Sequence, residues 1–169
     1  EKQACAAIGQ SFLMHTYEKA FEKKKMKVAQ ILLSHDDLGN RRRYLNAKHT
    51  IEALLERDVI PIINENDSVT VEEIKIGDND TLSATVACLV DAQLLIILSD
   101  VKGLYNRDPS VKNTGKKVEL ISHVARVNEE IERTAGKSNN RLTVGGMYTK
   151  VLAAKKTMSF GIPALVVDG

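Results

Sequence analysis

Stretches of apolar residues at helical spacing alternate along this chain with short, continuous apolar runs. Residues 2–24 carry Ala4, Ile8 and Phe12, then Tyr17 and Phe21, on one helical face. Val28 to Leu33 is an apolar run after charged residues, the mark of a buried strand. Tyr44, Ala47, Ile51 and Leu54/Leu55 predict a second helix ending before Asp58. Val59 to Ile63 reads as strand, and Thr70 to Ile76 alternates enough for a β-ribbon. Thr81 to Val90 reads as helix. Leu94 to Leu98, five aliphatic residues in a row, predicts a strand buried on both faces. Asn106 to Lys117 is polar and turn-rich. Val127 to Thr134 predicts helix, Gly136 to Arg141 a polar loop, Gly146 to Phe160 a helix, and Ile162 to Val167 a last strand. Helices alternating with apolar strands predict an α/β fold, a mainly parallel open sheet sandwiched by helices.

Against that frame, the polar residues fall in telling places. In open parallel sheets, strand C-termini and helix N-termini are where small ligands bind. Asn64 to Asp67 ends one strand. Asp78, Asn79 and Asp80 stand before a helix, with Asp80 expected as its N-cap. Ser99-Asp100 ends another strand and is followed by Gly103. Val144-Gly145-Gly146-Met147-Tyr148-Thr149-Lys150 leads a glycine pair into a helix. Singly, each has a plain structural explanation: a cap, a turn, a flexible helix start. Four at ligand-facing boundaries argue for a site. The last suggests phosphate, because glycines admit an anion close to the backbone and the first-turn N–H groups point at it. Lys150 lies about one turn in and can reach back over the same spot. The segment is not a Walker A loop, since Val151 stands where Ser or Thr is required, and no G-x-G-x-x-G occurs.

Composition removes several classes. The 169 residues suffice for one domain with a core. A net charge of +2 suggests no polyanionic partner. The runs Lys23–Lys25 and Arg41–Arg43 are expected to be solvated helix ends rather than a nucleic-acid surface. Cys5 and Cys88 have neither metal nor redox spacing, which favours a reducing, cytoplasmic setting. No run approaches the ~20 apolar residues of a membrane span. His15, His35, His49 and His123 are scattered and pair with no nucleophile, and no metal-ligand set is expected.

The segments QACAAIGQ, RRRYLNAKHT, PIINENDSV, IKIGDNDTLSA, LLIILSDVKGLYNRDP and VGGMYTKVLAA resemble the glutamate 5-kinases, within the amino acid kinase superfamily. The resemblance spans nearly the whole chain in order; INEND with GDNDTLSA is its most specific part. It implies ATP-dependent phosphorylation, with Mg²⁺, of the side-chain carboxylate of L-glutamate to glutamyl 5-phosphate, the first step of proline biosynthesis. It implies that Asp67 and Asn79 hold the substrate's ammonium and carboxylate, with Asp78 nearby. Asp80 would orient catalytic lysines, Ser99 and Asp100 would contact ATP, and residues 144 to 150 would wrap the phosphates, with Lys150 on the transferred group. A homo-oligomer (dimer or tetramer), feedback by proline and a functional link to glutamyl phosphate reductase are further implications. Val144 departs from the family's Thr, and the family's Lys-x-Gly-Ser and Ser-Ser-Gly-Ala loops are not in this sequence. The expectation is one amino acid kinase domain over 1–169, a fragment without the family's RNA-binding-like C-terminal domain and inactive alone. The rival readings are a kinase acting on aspartate, acetylglutamate, carbamate or UMP, a non-catalytic binding module, and a nucleic-acid-binding domain.

Overall fold

The computed structural model describes residues 1–69, 78–107, 117–136 and 146–169. The chain divides into two compact units, Glu1–Ile76 and Gly77–Gly169. The Thr70 to Ile76 ribbon, residues 108–116 of the turn-rich segment, residues 137–141 of the polar loop, and Val144 and Gly145 lie outside the described residues.

The first unit runs α1 (Lys2–Glu22), β1 (Lys27–Leu33), α2 (His35–Gly39), α3 (Arg41–Leu55) and β2 (Val59–Glu65). β1 and β2 pair in parallel, Lys27 opposite Val59 through Leu33 opposite Glu65. The ladder continues one step further, with Asn66 N–H donating to the Leu33 carbonyl at 2.9 Å. The second strand therefore extends two residues past Ile63, so Asn64 and Glu65 belong to it. α1 ends with Met26 N–H on the Phe21 carbonyl at 3.1 Å, and Lys25 takes the left-handed conformation (φ 58°) that this closure requires. The α1 face read from the sequence is not covered: Ile8 is 63% exposed and Phe12 70%, and the helix holds no buried residue.

α2 has no counterpart in the hydrophobic pattern, because five residues are too few to show a period. A capping box makes it. Ser34 Oγ and Ser34 N–H lie 2.5 and 2.8 Å from Asp37 Oδ2, while Asp37 N–H faces Ser34 Oγ at 3.4 Å. The Ser34 hydroxyl, its N–H and the Arg43 guanidinium hold the Asp37 carboxyl below its usual value, with burial working against them. Arg41–Arg43 form the exposed first turn of α3, capped by Asn40 Oδ1.

The second unit runs α4 (Asn79–Leu89), β3 (Leu95–Ser99), α5 (Glu129–Thr134), α6 (Met147–Ser159) and β4 (Ala164–Asp168). β3 and β4 pair in parallel, Leu95 opposite Ala164 through Ser99 opposite Asp168. α4 and α6 each lead by a short turn into their strand, so both run back along it. Their N-termini therefore lie at the end where the strands finish. Each turn closes in the same way: Ala92 N–H reaches the Ala87 carbonyl and Ile162 N–H the Thr157 carbonyl, with Asp91 (φ 52°) and Gly161 (φ 76°) left-handed between.

One face of this strand pair is core. Leu95 and Ile97 pack with Ala84, Ala87 and Ala153, with Ala164 and Val166 alongside. The other face is open among the described residues: Ile96 is 53% exposed and Leu98 68%. The aliphatic run is thus buried on one side only. The far flank of α6 packs into a second cluster, where Val151 meets Leu104, Val127 and Ala135. α6 is held from two sides, which fixes whatever its first turn carries. No described helix is long and apolar enough to cross a membrane.

Candidate functional site

Small residues bring α4 and α6 together. Ala84 (0% exposed) and Ala87 on α4 pack with Ala153 on α6, where Thr149, Ala153 and Thr157, spaced four apart, are all buried. With no bulk between the backbones, the helices approach closely in parallel. Asp80 contacts Thr149 and Lys150 at their starts, and Lys156 Nζ donates to Thr85 Oγ1 at 2.6 Å further along. Two helix N-termini then lie side by side, and each carries a partial positive charge.

Asp80 sits between them. Its carboxylate receives Lys150 Nζ at 3.0 and 3.2 Å on its two oxygens, and Thr149 Oγ1 lies 2.7 Å from Oδ2. The same hydroxyl is 2.7 Å from the Gly146 carbonyl, so its one proton is shared between two acceptors. Both members of the ion pair are largely withdrawn from water, with side chains 13% and 12% exposed. A pair so placed is stronger than a surface pair but has a larger desolvation cost. The helix ends offset part of that cost for the carboxylate.

The sequence assigns the cap of α4 to Asp80; the structure corrects this. Asp78 is the N-cap, its Oδ1 accepting Thr81 N–H at 2.7 Å. In Asp-Asn-Asp every residue can cap, and the one whose backbone is extended (Asp78, φ −157°) takes the place. Asp80 is left one residue into the first turn, free to reach α6. Asn79 is exposed beside it.

Gly146 is the N-cap of α6 and offers no side-chain acceptor, so the first-turn N–H groups are not capped by it. Met147 and Tyr148 are half-buried against the second core cluster. Ser99 and Asp100 end β3 at the same edge of the unit, with Ser99 Oγ 3.3 Å from Asp100 Oδ1. Gly103, just beyond, has φ 145°, a backbone conformation that side chains rarely adopt, and lies against Leu120 and the Val166 carbonyl. The unit thus gathers Asp80, Thr149, Lys150 and Gly146 tightly, with Ser99 and Asp100 at the strand end. Lys156 and Thr85, which the sequence reading passed over, brace the same two helices. All four histidines are exposed, and the described residues hold no group of three His, Cys, Asp or Glu suited to a metal.

Asp67 belongs to the first unit. It follows β2 in the turn closed by Val69 N–H on the Asn66 carbonyl. It lines a small hollow, partly open to solvent, with Ala6, Ala7 and Gln10 of α1 and Leu32 of β1. Gln10, which closes the QACAAIGQ segment, is a lining residue to which the sequence assigns no role.

A sequence model described as the amino acid kinase family matches residues 1–168. The chain belongs to the amino acid kinase family. It is 54% identical over 166 residues to a protein named glutamate 5-kinase from Carboxydothermus hydrogenoformans, covering 98% of this chain and 44% of that protein. A glutamate 5-kinase of Geobacter metallireducens is 52% identical over 169 residues, again 44% of its length. One from Clostridium tetani is 52% identical over 169 residues and 62% of its length. This amino acid kinase chain therefore spans less than half of the first two relatives.

Proposed function

We propose that the protein containing this chain is an ATP-dependent glutamate 5-kinase. It would move the γ-phosphoryl group of ATP to the side-chain carboxylate of L-glutamate, giving glutamyl 5-phosphate for proline synthesis. The observation that carries this reading is the Lys150–Asp80 pair, 3.0 Å apart between two helix N-termini, in a chain more than half identical to proteins of that name.

The acceptor carboxylate has a pKa near 4 and is ionised at neutral pH, so no general base is required. The barrier is the approach of an anion to a polyanion. Positioning and positive charge are the remedies. Gly146 and the first-turn N–H groups of α6 would receive phosphate oxygens, with Val144 and Gly145 leading into them. Met147 and Tyr148 would wall that turn. Lys150 would share its ammonium between Asp80 and the transferred group, and Asp80 would keep that ammonium aimed. Thr149 would hold Asp80. Ser99 and Asp100 would contact the nucleotide. Asp67 would take the substrate ammonium; Asn79 would take its carboxylate, with Asp78 fixing the turn that presents it. Mg²⁺ is taken up by phosphate oxygens, water and one or two carboxylates. The exposed Asp100 is a donor of that kind, and the bound ion would offset phosphate charge. The product, an acyl phosphate, hydrolyses readily, which favours a water-poor pocket and prompt consumption by a glutamyl phosphate reductase. Proline feedback, a dimer or tetramer, and a cytoplasmic setting belong to the same proposal.

The test is coupled ADP release by the full-length protein with glutamate, aspartate and acetylglutamate in turn. Strong preference for glutamate is expected. No glutamate-dependent release, or preference for another acceptor, rejects the reading.

A further inference from the structure

β4 ends on an acidic residue, Asp168, that no part of the proposed reaction uses. It stands opposite Ser99 in the parallel register of β3 and β4. Side chains alternate along a strand, so Asp168 shares a face with Ala164 and Val166. Those two pack against the core cluster that Ala84, Ala87 and Ala153 build from α4 and α6. Gly169 gives the same answer from the other side. A Cβ there would lie 2.9 Å from Leu98 Cβ, on the open face of the sheet. Asp168, its neighbour in the chain, therefore points to the helix side.

Its level along the sheet follows from lengths. α6 has 13 residues and spans about 20 Å; β4 has five and spans about 17 Å. A short turn joins them, they run in opposite directions, and α6 packs on β4. The first turn of α6 thus begins within a few ångströms of the level where β4 ends. Asp168 lies one layer below the turn that carries Gly146, Thr149 and Lys150, beside Ser99.

Charge decides what such a carboxylate can hold. The first-turn N–H groups of α6 have no side-chain cap and suit phosphate. A carboxylate touching phosphate oxygens would repel them. From a layer below, it meets the next part of a nucleotide, the sugar, which brings hydroxyl donors and no charge. Open α/β sheets hold ribose in this way: phosphate sits on a helix start, and an acidic residue about 20 positions later, where the following strand ends, accepts from the sugar hydroxyls. Asp168 follows Gly146 at about that spacing. We propose that Asp168 is a nucleotide-specificity residue that accepts hydrogen bonds from the ribose hydroxyls of ATP. The inference rests on the ATP-dependent kinase reading and adds a sugar contact to it.

The experiment uses full-length protein, wild type and Asp168→Ala, with glutamate as acceptor and ATP, 2′-deoxy-ATP and 3′-deoxy-ATP as donors, together with melting temperature and the Mg²⁺ dependence of each reaction. Losing hydrogen bonds to a charged acceptor should raise the ATP KM roughly tenfold or more. In wild type at least one deoxynucleotide should show a KM raised by a similar factor, and in Asp168→Ala that gap to ATP should close. The glutamate KM should stay within about twofold. An unchanged ATP KM in the folded variant overturns the assignment, as does wild type that does not distinguish ATP from either deoxynucleotide. An equal shift for all three nucleotides overturns it too: a common fall marks simple repulsion of phosphate, and a common rise with a greater Mg²⁺ requirement marks a contact to the ion. If Asp168→Ala does not fold, Asp168→Asn, of nearly the same shape, reads the same ratio, with a narrowed gap expected and an unchanged gap overturning it. Wild-type protein that releases no ADP with glutamate defeats the kinase reading itself; active wild type with an indifferent Asp168 defeats only this inference.

Discussion

A carboxylate in the first turn of a helix is stabilised by that helix, and Asp80 lies where two helices begin. It also accepts from Thr149 and Lys150. Asp80 is therefore held between the two helices, and it holds the Lys150 ammonium beside it. Lys150→Met in the full-length protein is expected to lower kcat about a hundredfold or more, with the fold retained. Coupled ADP release and circular dichroism check both halves; near-normal turnover in folded protein removes Lys150 from the chemistry. Thr149 permits a finer test. Thr149→Val keeps the buried shape but drops the hydroxyl, and about a tenfold loss of kcat is expected, with Thr149→Ser restoring most of it. Full turnover in Thr149→Val would mean that the hydroxyl does not matter, and loss in Thr149→Ser would mean that the methyl group does. The sequence made Asp80 and Lys150 visible as residues but not as a pair, since 70 positions separate them. Nor could it say which Asp of Asp78-Asn79-Asp80 would cap, because all three residues suit the position and only the backbone entering the helix decides.

At the level of elements, the site depends on how closely α4 and α6 approach. Ala84 and Ala153, at 0% and 2% exposure, leave no space for a larger side chain. Ala84→Leu should cost about 1–3 kcal/mol by overpacking, and the displaced helix should carry Asp80 away from Lys150. Thermal melts and kcat should fall together. A loss of stability with full activity would show that the pair tolerates a shift. The alanines were read from the sequence only as helix; that they are the contact face emerges once their partners on α6 are known. α2 makes a pH-dependent prediction. Asp37 is held below its ordinary value of 3.8, first by the Ser34 hydroxyl. Its depressed folded pKa means that its stabilisation is fully present above about pH 4 and is lost as pH falls through the folded value. Asp37→Asn should therefore cost about 1 kcal/mol at pH 7, and the gap to wild type should narrow as pH drops below 3.8. A gap independent of pH would show that the carboxylate's charge is not what caps the helix.

For the whole molecule, each unit shows among the described residues one parallel strand pair and apolar surface left over. In the first, Ile8 and Phe12 stand out from α1; in the second, Ile96 (53%), Leu98 (68%) and Leu165 (48%) form an open sheet face. Parallel sheets are ordinarily covered on both faces. A run of five aliphatic residues is how a sequence specifies a strand with two covers, and here one cover is present among the described residues. The strand was therefore legible from the sequence, while the covering was not, because it depends on residues outside the run. The chain covers 44% of the length of a relative such as that of Geobacter metallireducens, so the rest of such a protein has ample length to supply the second cover. Two outcomes should then separate. Expressed alone, the 169 residues should self-associate as concentration rises and bind a hydrophobic dye, and Leu98→Lys should reduce both. In the full-length protein the same substitution should lower stability by several kcal/mol, because a charge would be placed in a dry interface without a partner. Light scattering and thermal melts decide it: a lone chain that stays monomeric, or a full-length Leu98→Lys variant that melts like wild type, would show that this face is meant for water.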